Sequence, residues 1–340
     1  MLTETMRESV DPISALTRDT YREIALYPAL PDRVAIDLSD NTNLWGAPPA
    51  ALRALTTVRD EDVARYPVAY EPALAAALAD YVGVSADMVA CGCGSDDVLD
   101  SAIRAFAEPG EVLCLPEPSF SMIPVFARTN GLRPIAIPLT RSFDADAGAM
   151  LETDARIIYL CSPNNPTGGA LSRKTVERIV ERARGLVIID QAYVEFGGES
   201  FTDLASSGRP VLVTRTMSKA FGLAGLRLGY GIGSPQLIAE VLKARGPYKV
   251  NALAERPEPA SAADLERVRR ELERLSAAER DLARRFDERF VGGPAPADPA
   301  PEWTFWAVTG LLGMGTAIGL FVDRLLQRRH DGRQRGQLRL

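Results

Sequence analysis

Histidine is almost missing from this chain of 340 residues: the one present, His330, lies in a polar tail, and only four cysteines accompany it. A zinc centre of imidazoles and thiolates therefore lacks donors, even though Cys91 and Cys93 stand as C-x-C. Cys114 and Cys161 fall in strand-like apolar runs, the usage of buried thiols in a reducing compartment. Positive charge is not in excess. The net charge of -6 gives none of the basic footprint that nucleic acid requires, so nucleic acid is not expected as a partner. Residues 1–24 mix acids and bases without an apolar run, so nothing there directs secretion and a cytoplasmic start is expected.

What the chain does have is core material: 46% hydrophobic and 25% charged residues over a length that suits one large or two ordinary domains. Helical periodicity is expected at 50–55, 71–81, 96–107, 121–129, 172–183 and 235–244. Short apolar runs at 88–91, 111–115, 133–138, 157–161, 186–189, 211–214 and 228–233 read as strands. Runs as uniformly apolar as Leu186-Val-Ile-Ile189, separated by amphipathic helices, imply an α/β fold with a mostly parallel sheet covered on both faces. Such sheets bind ligands beyond the carboxyl ends of their strands.

Three segments sit at such ends, in order: Ser162-Pro-Asn-Asn-Pro-Thr-Gly168, Asp190-Gln-Ala-Tyr193, and Thr216-Met-Ser-Lys-Ala-Phe-Gly-Leu-Ala-Gly-Leu-Arg227. Each alone is weak, because Asn-Pro-Thr-Gly is also a good turn. As an ordered set they place a lysine, an acid, a phenol and an arginine where one flat, phosphorylated cofactor can touch all four. Pyridoxal 5'-phosphate has that shape and those needs. Its aldehyde requires an amine, which can then shuttle a proton at the substrate α-carbon, and Lys219 suits both tasks. Its ring nitrogen stays protonated only against a buried carboxylate, and Asp190 ends an apolar strand where an unpaired acid is costly. Its phosphate wants helix N-terminal amides and a fixed cation. Gly92-Cys-Gly-Ser-Asp96 supplies the turn, with Ser95 and Asp96 at the first amides, while Ser218 and Arg227 close the cup and Thr216 offers a further hydroxyl. The bland alternatives are a helix-start lysine, an N-cap aspartate, a turn asparagine and a solubilising arginine.

With Asp40-Asn-Thr-Asn-Leu-Trp-Gly46, Arg65-Tyr-Pro67, Gly94-Ser-Asp96 and Gly246-Pro-Tyr-Lys-Val-Asn251 added, the chain from about residue 37 to 254 resembles the fold type I pyridoxal phosphate aminotransferases, and within them the branch acting on histidinol phosphate. The resemblance implies that Tyr193 and Asn165 hydrogen-bond the cofactor's phenolic oxygen. It also implies that Phe120 lies over the ring, a place a core phenylalanine would fill equally well, and that Tyr66 reaches the phosphate of a neighbouring subunit in a homodimer. Histidinol phosphate with 2-oxoglutarate is then the expected substrate pair. A threonine-phosphate decarboxylase-like enzyme shares the same motifs.

After residue 254 the resemblance stops, where the family continues into a smaller domain carrying an arginine for the substrate carboxylate. The expected organisation is an arm at 1–36, a cofactor-binding domain at 37–254, a charged helix and linker at 255–301, and an apolar helix with a basic tail at 302–340. Leu265, Val268, Leu272, Leu275, Leu282 and Phe286 recur at helical spacing over 262–290, as a short coiled coil or a docking helix. Residues 292–301 read as a linker. Residues 305–322 carry no charge and are long enough to cross a bilayer, or to pack as a buried glycine-rich helix. Basic residues follow, an orientation awkward for a cytoplasmic catalytic domain. Either the tail is a fusion or frame disruption that leaves a catalytically impaired, membrane-associated cofactor-binding protein, or the 262–290 helix or a partner completes the site.

Overall fold

Strands apolar at every position need cover on both faces, and the arrangement of the chain supplies it. The computed structural model describes residues 16–22, 24–26, 41–43 and 46–255. Seven strands, β1 (Val89–Cys93), β2 (Val112–Glu117), β3 (Arg133–Pro138), β4 (Ile157–Cys161), β5 (Leu186–Asp190), β6 (Val211–Thr216) and β7 (Leu228–Ile232), form one sheet in the order β1-β7-β6-β5-β4-β2-β3. The ladders from β3 through β6 are parallel. Strand β7 runs antiparallel to both β6 and β1. β5 and β6 extend into Asp190 and Thr216, so these polar residues are strand ends rather than loop residues.

Alternation sorts the side chains. Tyr159, Ile188 and Leu212 pack with Val98, Leu99 and Ile103 of the helix Ser95–Phe106 and with Ile238 and Val241 of the helix Pro235–Arg245. The opposite face, with Ile158, Leu160, Ile189 and Val213, packs on Leu74 and Leu78 of the helix Pro72–Val82 and on Val176 and Ile179 of the helix Arg173–Arg182. Local chemistry starts these helices. Ser172 and Ser234 accept the N–H groups of Thr175 and Leu237, and proline fills the first turn of the helices that open at Pro72 and Pro235. The helix Ala147–Glu152, absent from the periodicity reading, is capped by Asp146, which accepts the Ala149 N–H at 3.0 Å. Glycine lets β7 press against the start of the helix Ser95–Phe106: a Cβ on Gly229 would stand 2.1 Å from the Ser95 nitrogen.

A buried ion pair joins helices from the two faces at the edge of the sheet. Arg245 Nη2 lies 2.8 Å from Glu71 Oε2, both side chains fully enclosed, and Arg245 Nη1 donates to the Cys91 carbonyl at 2.6 Å. The pair joins the start of one helix to the end of another and to the edge strand β1. Glu71→Ala strands the guanidinium without a counter-charge and is expected to lower stability by about 3–5 kcal/mol, read as a lower denaturant midpoint.

Of the cysteines, Cys91, Cys114 and Cys161 are buried as expected of strand residues, but Cys93 is exposed. No helix among the described residues is long and apolar enough to cross a membrane. The arm at 1–36 is described only at 16–22 and 24–26; the expected helix at 262–290, the linker at 292–301, the apolar segment at 305–322 and His330 lie outside the described residues.

Candidate active site

Parallel strands set neighbouring residues level with one another, and the register carries three site positions into one row: Cys161 pairs with Asp190, and Asp190 with Thr214. Asp190 is buried there with three donors. Tyr159 donates to Oδ2 at 2.9 Å, while the Ala192 N–H and the Thr214 hydroxyl donate to Oδ1 at 3.1 and 3.2 Å. Burial raises its pKa to about 6 against the pull of these bonds. The chain then turns through Gln191 to Tyr193, whose phenol is buried and shifted upward by that burial. Asn41 Nδ2 donates to the Tyr193 oxygen at 2.9 Å, leaving the tyrosine's own O–H to donate elsewhere.

Lys219 follows the end of β6. Its Nζ stands 5.9 Å from the centre of the Tyr193 ring. The segment is held from two sides: Thr216 Oγ1 accepts the Ser218 N–H at 3.1 Å, and Asn43 Nδ2 donates to the carbonyls of Lys219 and Ala220 at 3.2 and 3.0 Å. The Thr216 hydroxyl also reaches the Leu228 carbonyl at 3.4 Å, so it is engaged in shaping the loop. Two other lysines have acidic partners outside this group, Lys243 with Glu240 and Lys249 with Asp97.

Gly94, at φ 80°, turns β1 into the helix Ser95–Phe106, placing Ser95 and Asp96 in its first turn. Arg227 lies across this helix end. A Cβ on Gly94 would fall 2.6 Å from Arg227 Nη2, the Gly94 N–H donates to the Arg227 carbonyl at 3.0 Å, and Nη2 is 3.7 Å from Asp96 Oδ2. Glycine thus leaves room for a guanidinium beside the helix's N-terminal amides, a cradle suited to a phosphate dianion. Ser218 is buried beside this loop. Asp96, Asp190, Tyr193, Lys219 and Arg227 stand close enough for their charges to act on one another.

Other expected residues are placed differently. In the Ser162–Gly168 turn it is Asn164 that builds the turn, accepting from Ser119 at 2.7 Å and donating to Pro118 and Thr167 at 3.0 and 2.9 Å. The neighbouring Asn165 is half-buried, and its side chain makes no hydrogen bond among the described residues. Phe120 is half-buried against the apolar cluster beneath the helices Ser95–Phe106 and Met122–Thr129. Tyr66 is 84% exposed and stacks on Tyr248 at 5.1 Å, so within its own chain it faces outward. Tyr159, Thr214, Asn41 and Asn43 were not anticipated. Asn41 and Asn43 fall inside the motif Asp40-Asn-Thr-Asn-Leu-Trp-Gly46, which the sequence offered without a role for either residue.

A mostly parallel seven-stranded sheet with an antiparallel β7, carrying a lysine loop after β6 and a glycine turn into a helix after β1, is the large-domain architecture of pyridoxal phosphate transferases of fold type I. A family model described as aminotransferase class I and II matches residues 33–293, extending beyond the point where the motif resemblance ends. The chain is 39% identical over 263 residues to a histidinol-phosphate aminotransferase of Roseiflexus castenholzii, covering 75% of this chain and 69% of the relative. Histidinol-phosphate aminotransferase 2 of Cupriavidus pinatubonensis is 39% identical over 260 residues, covering 72% and 70%. Among solved structures, the histidinol-phosphate aminotransferase of Sinorhizobium meliloti in complex with pyridoxal-5'-phosphate superposes with a TM-score of 0.61 at 21% identity, covering 82% of this chain and 90% of that one. A putative histidinol-phosphate aminotransferase from Erwinia carotovora atroseptica gives 0.65 at 24% identity, covering 74% and 75%. The chain belongs to the aminotransferase class I and II family. It is an aminotransferase, of a family that works with pyridoxal phosphate.

Proposed function

We propose that this chain holds pyridoxal phosphate on Lys219 and moves an amino group from histidinol phosphate to 2-oxoglutarate, giving imidazole acetol phosphate and glutamate. The observation that carries the reading is the convergence of a buried carboxylate, a buried phenol, a lysine and an arginine-capped helix N-terminus at one end of one sheet. The names of the relatives supply the substrate. When bound, the cofactor supplies an aldehyde and a sink for the electrons of a breaking C–H bond.

The protein's residues divide the remaining work. Lys219 Nζ would carry the proton that leaves the substrate α-carbon, as general base and then general acid. Asp190 keeps a proton at the ring nitrogen. Tyr193, its oxygen already accepting from Asn41, would donate its own hydrogen to the phenolic oxygen, and the Asn165 amide would donate a second. Phe120 would cover the ring. The backbone amides of Ser95 and Asp96, with Ser218 and Arg227, would hold the phosphate, with Thr216 fixing the Ser218 backbone. Tyr66, outward-facing in its own chain, reaches the phosphate of the second subunit in a homodimer.

Arg227→Ala removes the one fixed cation of the cradle and leaves the amides. The dissociation constant for the cofactor is expected to rise about 10- to 100-fold, the loss of a charge-assisted hydrogen bond, measured by fluorescence titration. The substrate assignment is tested by incubating the purified full chain with 2-oxoglutarate and either histidinol phosphate or threonine phosphate. Glutamate formed with histidinol phosphate is the expected result; carbon dioxide released from threonine phosphate, with no glutamate from either, overturns it in favour of the decarboxylase.

A further inference from the structure

Tyr159 is a fully buried tyrosine in the middle of an apolar strand, and its hydroxyl ends on the one carboxylate that matters most to the cofactor. Its ring is ordinary core, packed with Ile188 and Leu212. Its hydroxyl is not: a phenylalanine would fill the same space without placing a polar atom in the core. The partner is Asp190 Oδ2 at 2.9 Å. The donors around Asp190 are divided unequally. Oδ1 receives two, from the Ala192 N–H and the Thr214 hydroxyl, whereas Tyr159 is the donor on Oδ2, which keeps a lone pair for a further hydrogen.

Resting on the cofactor reading above, we infer that Tyr159 is a positioning residue for the ring-nitrogen proton: its hydroxyl keeps Asp190 the weaker base of the two, so that the shared proton stays on the cofactor nitrogen. The argument is one of competing bases in an enclosed site. Burial makes the carboxylate more basic, and donors on its oxygens oppose that. Without the Tyr159 donor, Oδ2 holds the shared proton more tightly and the ring nitrogen becomes neutral, a poorer sink for electrons. The other groups that face Asp190 do not take over this role. The Cys161 thiol and the Tyr193 phenol are both shifted upward by burial and stay neutral near pH 7, and Asp96, in the first turn of the helix Ser95–Phe106, makes Asp190 more basic rather than less.

The test uses full-length holoprotein reconstituted with pyridoxal phosphate carrying nitrogen-15 in the ring. In the wild type the nitrogen resonance is that of a protonated pyridine at neutral pH. In Tyr159→Phe it moves toward the unprotonated position, the midpoint of its pH titration falls by about one to two pH units, and kcat falls about 10- to 100-fold with KM for the amino donor unchanged. Thr214→Val, which leaves Oδ1 its backbone donor, produces a smaller shift. Difluorotyrosine at position 159, a stronger donor of nearly equal volume, preserves the packing and moves the midpoint the opposite way, so the inference is tested even where phenylalanine is not tolerated. A nitrogen resonance unchanged in both Tyr159 variants overturns the inference, even with kcat reduced, because a purely structural role accounts for that. A wild-type nitrogen already unprotonated overturns it while leaving the cofactor reading intact. Wild-type protein that takes up no cofactor overturns both.

Discussion

Lys219→Ala is expected to lower amino-transfer turnover at least ~10³-fold, because a positioned proton carrier alone contributes up to ~10⁴-fold and the covalent anchor is lost with it. The cofactor itself should remain bound. The Gly94 turn, Ser218 and Arg227 lie on other atoms of the site, and Asn43 grips the backbone carbonyls at 219 and 220 rather than the side chain, so the loop keeps its shape. Rapid-quench measurement of keto-product formation, alongside the absorbance of bound cofactor, separates the two effects. Retention of the cofactor spectrum with turnover near wild type would remove Lys219 from the reaction.

Asp190→Asn is expected to be nearly as damaging, lowering the rate of the first half-reaction by about 10²- to 10⁴-fold with the fold retained. The reason is a conflict of donors. Asparagine has the shape of aspartate but carries an NH2 in place of one oxygen. Turned toward the Oδ1 side, that NH2 meets the Ala192 N–H, which cannot reverse its direction. Turned toward the Oδ2 side, it can be accommodated by a rotated Tyr159 hydroxyl, but it then offers the ring nitrogen a donor, and only an unprotonated nitrogen can accept it. Single-turnover absorbance changes with histidinol phosphate measure the half-reaction. A rate within a few-fold of wild type would exclude the pyridinium role.

All seven strands were legible because each is a short apolar run, which a sheet covered on both sides demands, and the lysine, acid and arginine positions were legible because polar residues at the ends of such runs require a reason. What was not legible depends on which strands are neighbours. Tyr159 reads as packing until β4 is placed beside β5 with Cys161 level with Asp190. Asn41 meets Tyr193 across 152 residues, and Glu71 meets Arg245 across 174, distances over which periodicity carries no information. The antiparallel course of β7 is equally silent in sequence, since the run 228–233 reads as a strand of either direction until β1 and β6 are placed on its two sides. Of the asparagine pair the resemblance singled out Asn165; hydrogen bonding gives the turn to Asn164, which no feature of the sequence had marked for that role.

The chain's few lysines make a direct test available. Borohydride reduction of the purified, cofactor-loaded full chain, followed by proteolysis and mass spectrometry, locates the covalent attachment. The account predicts a phosphopyridoxyl group on the peptide containing Lys219 and on no other. Label on Lys174, Lys243 or Lys249, or no label on a protein that retains cofactor absorbance, would contradict it.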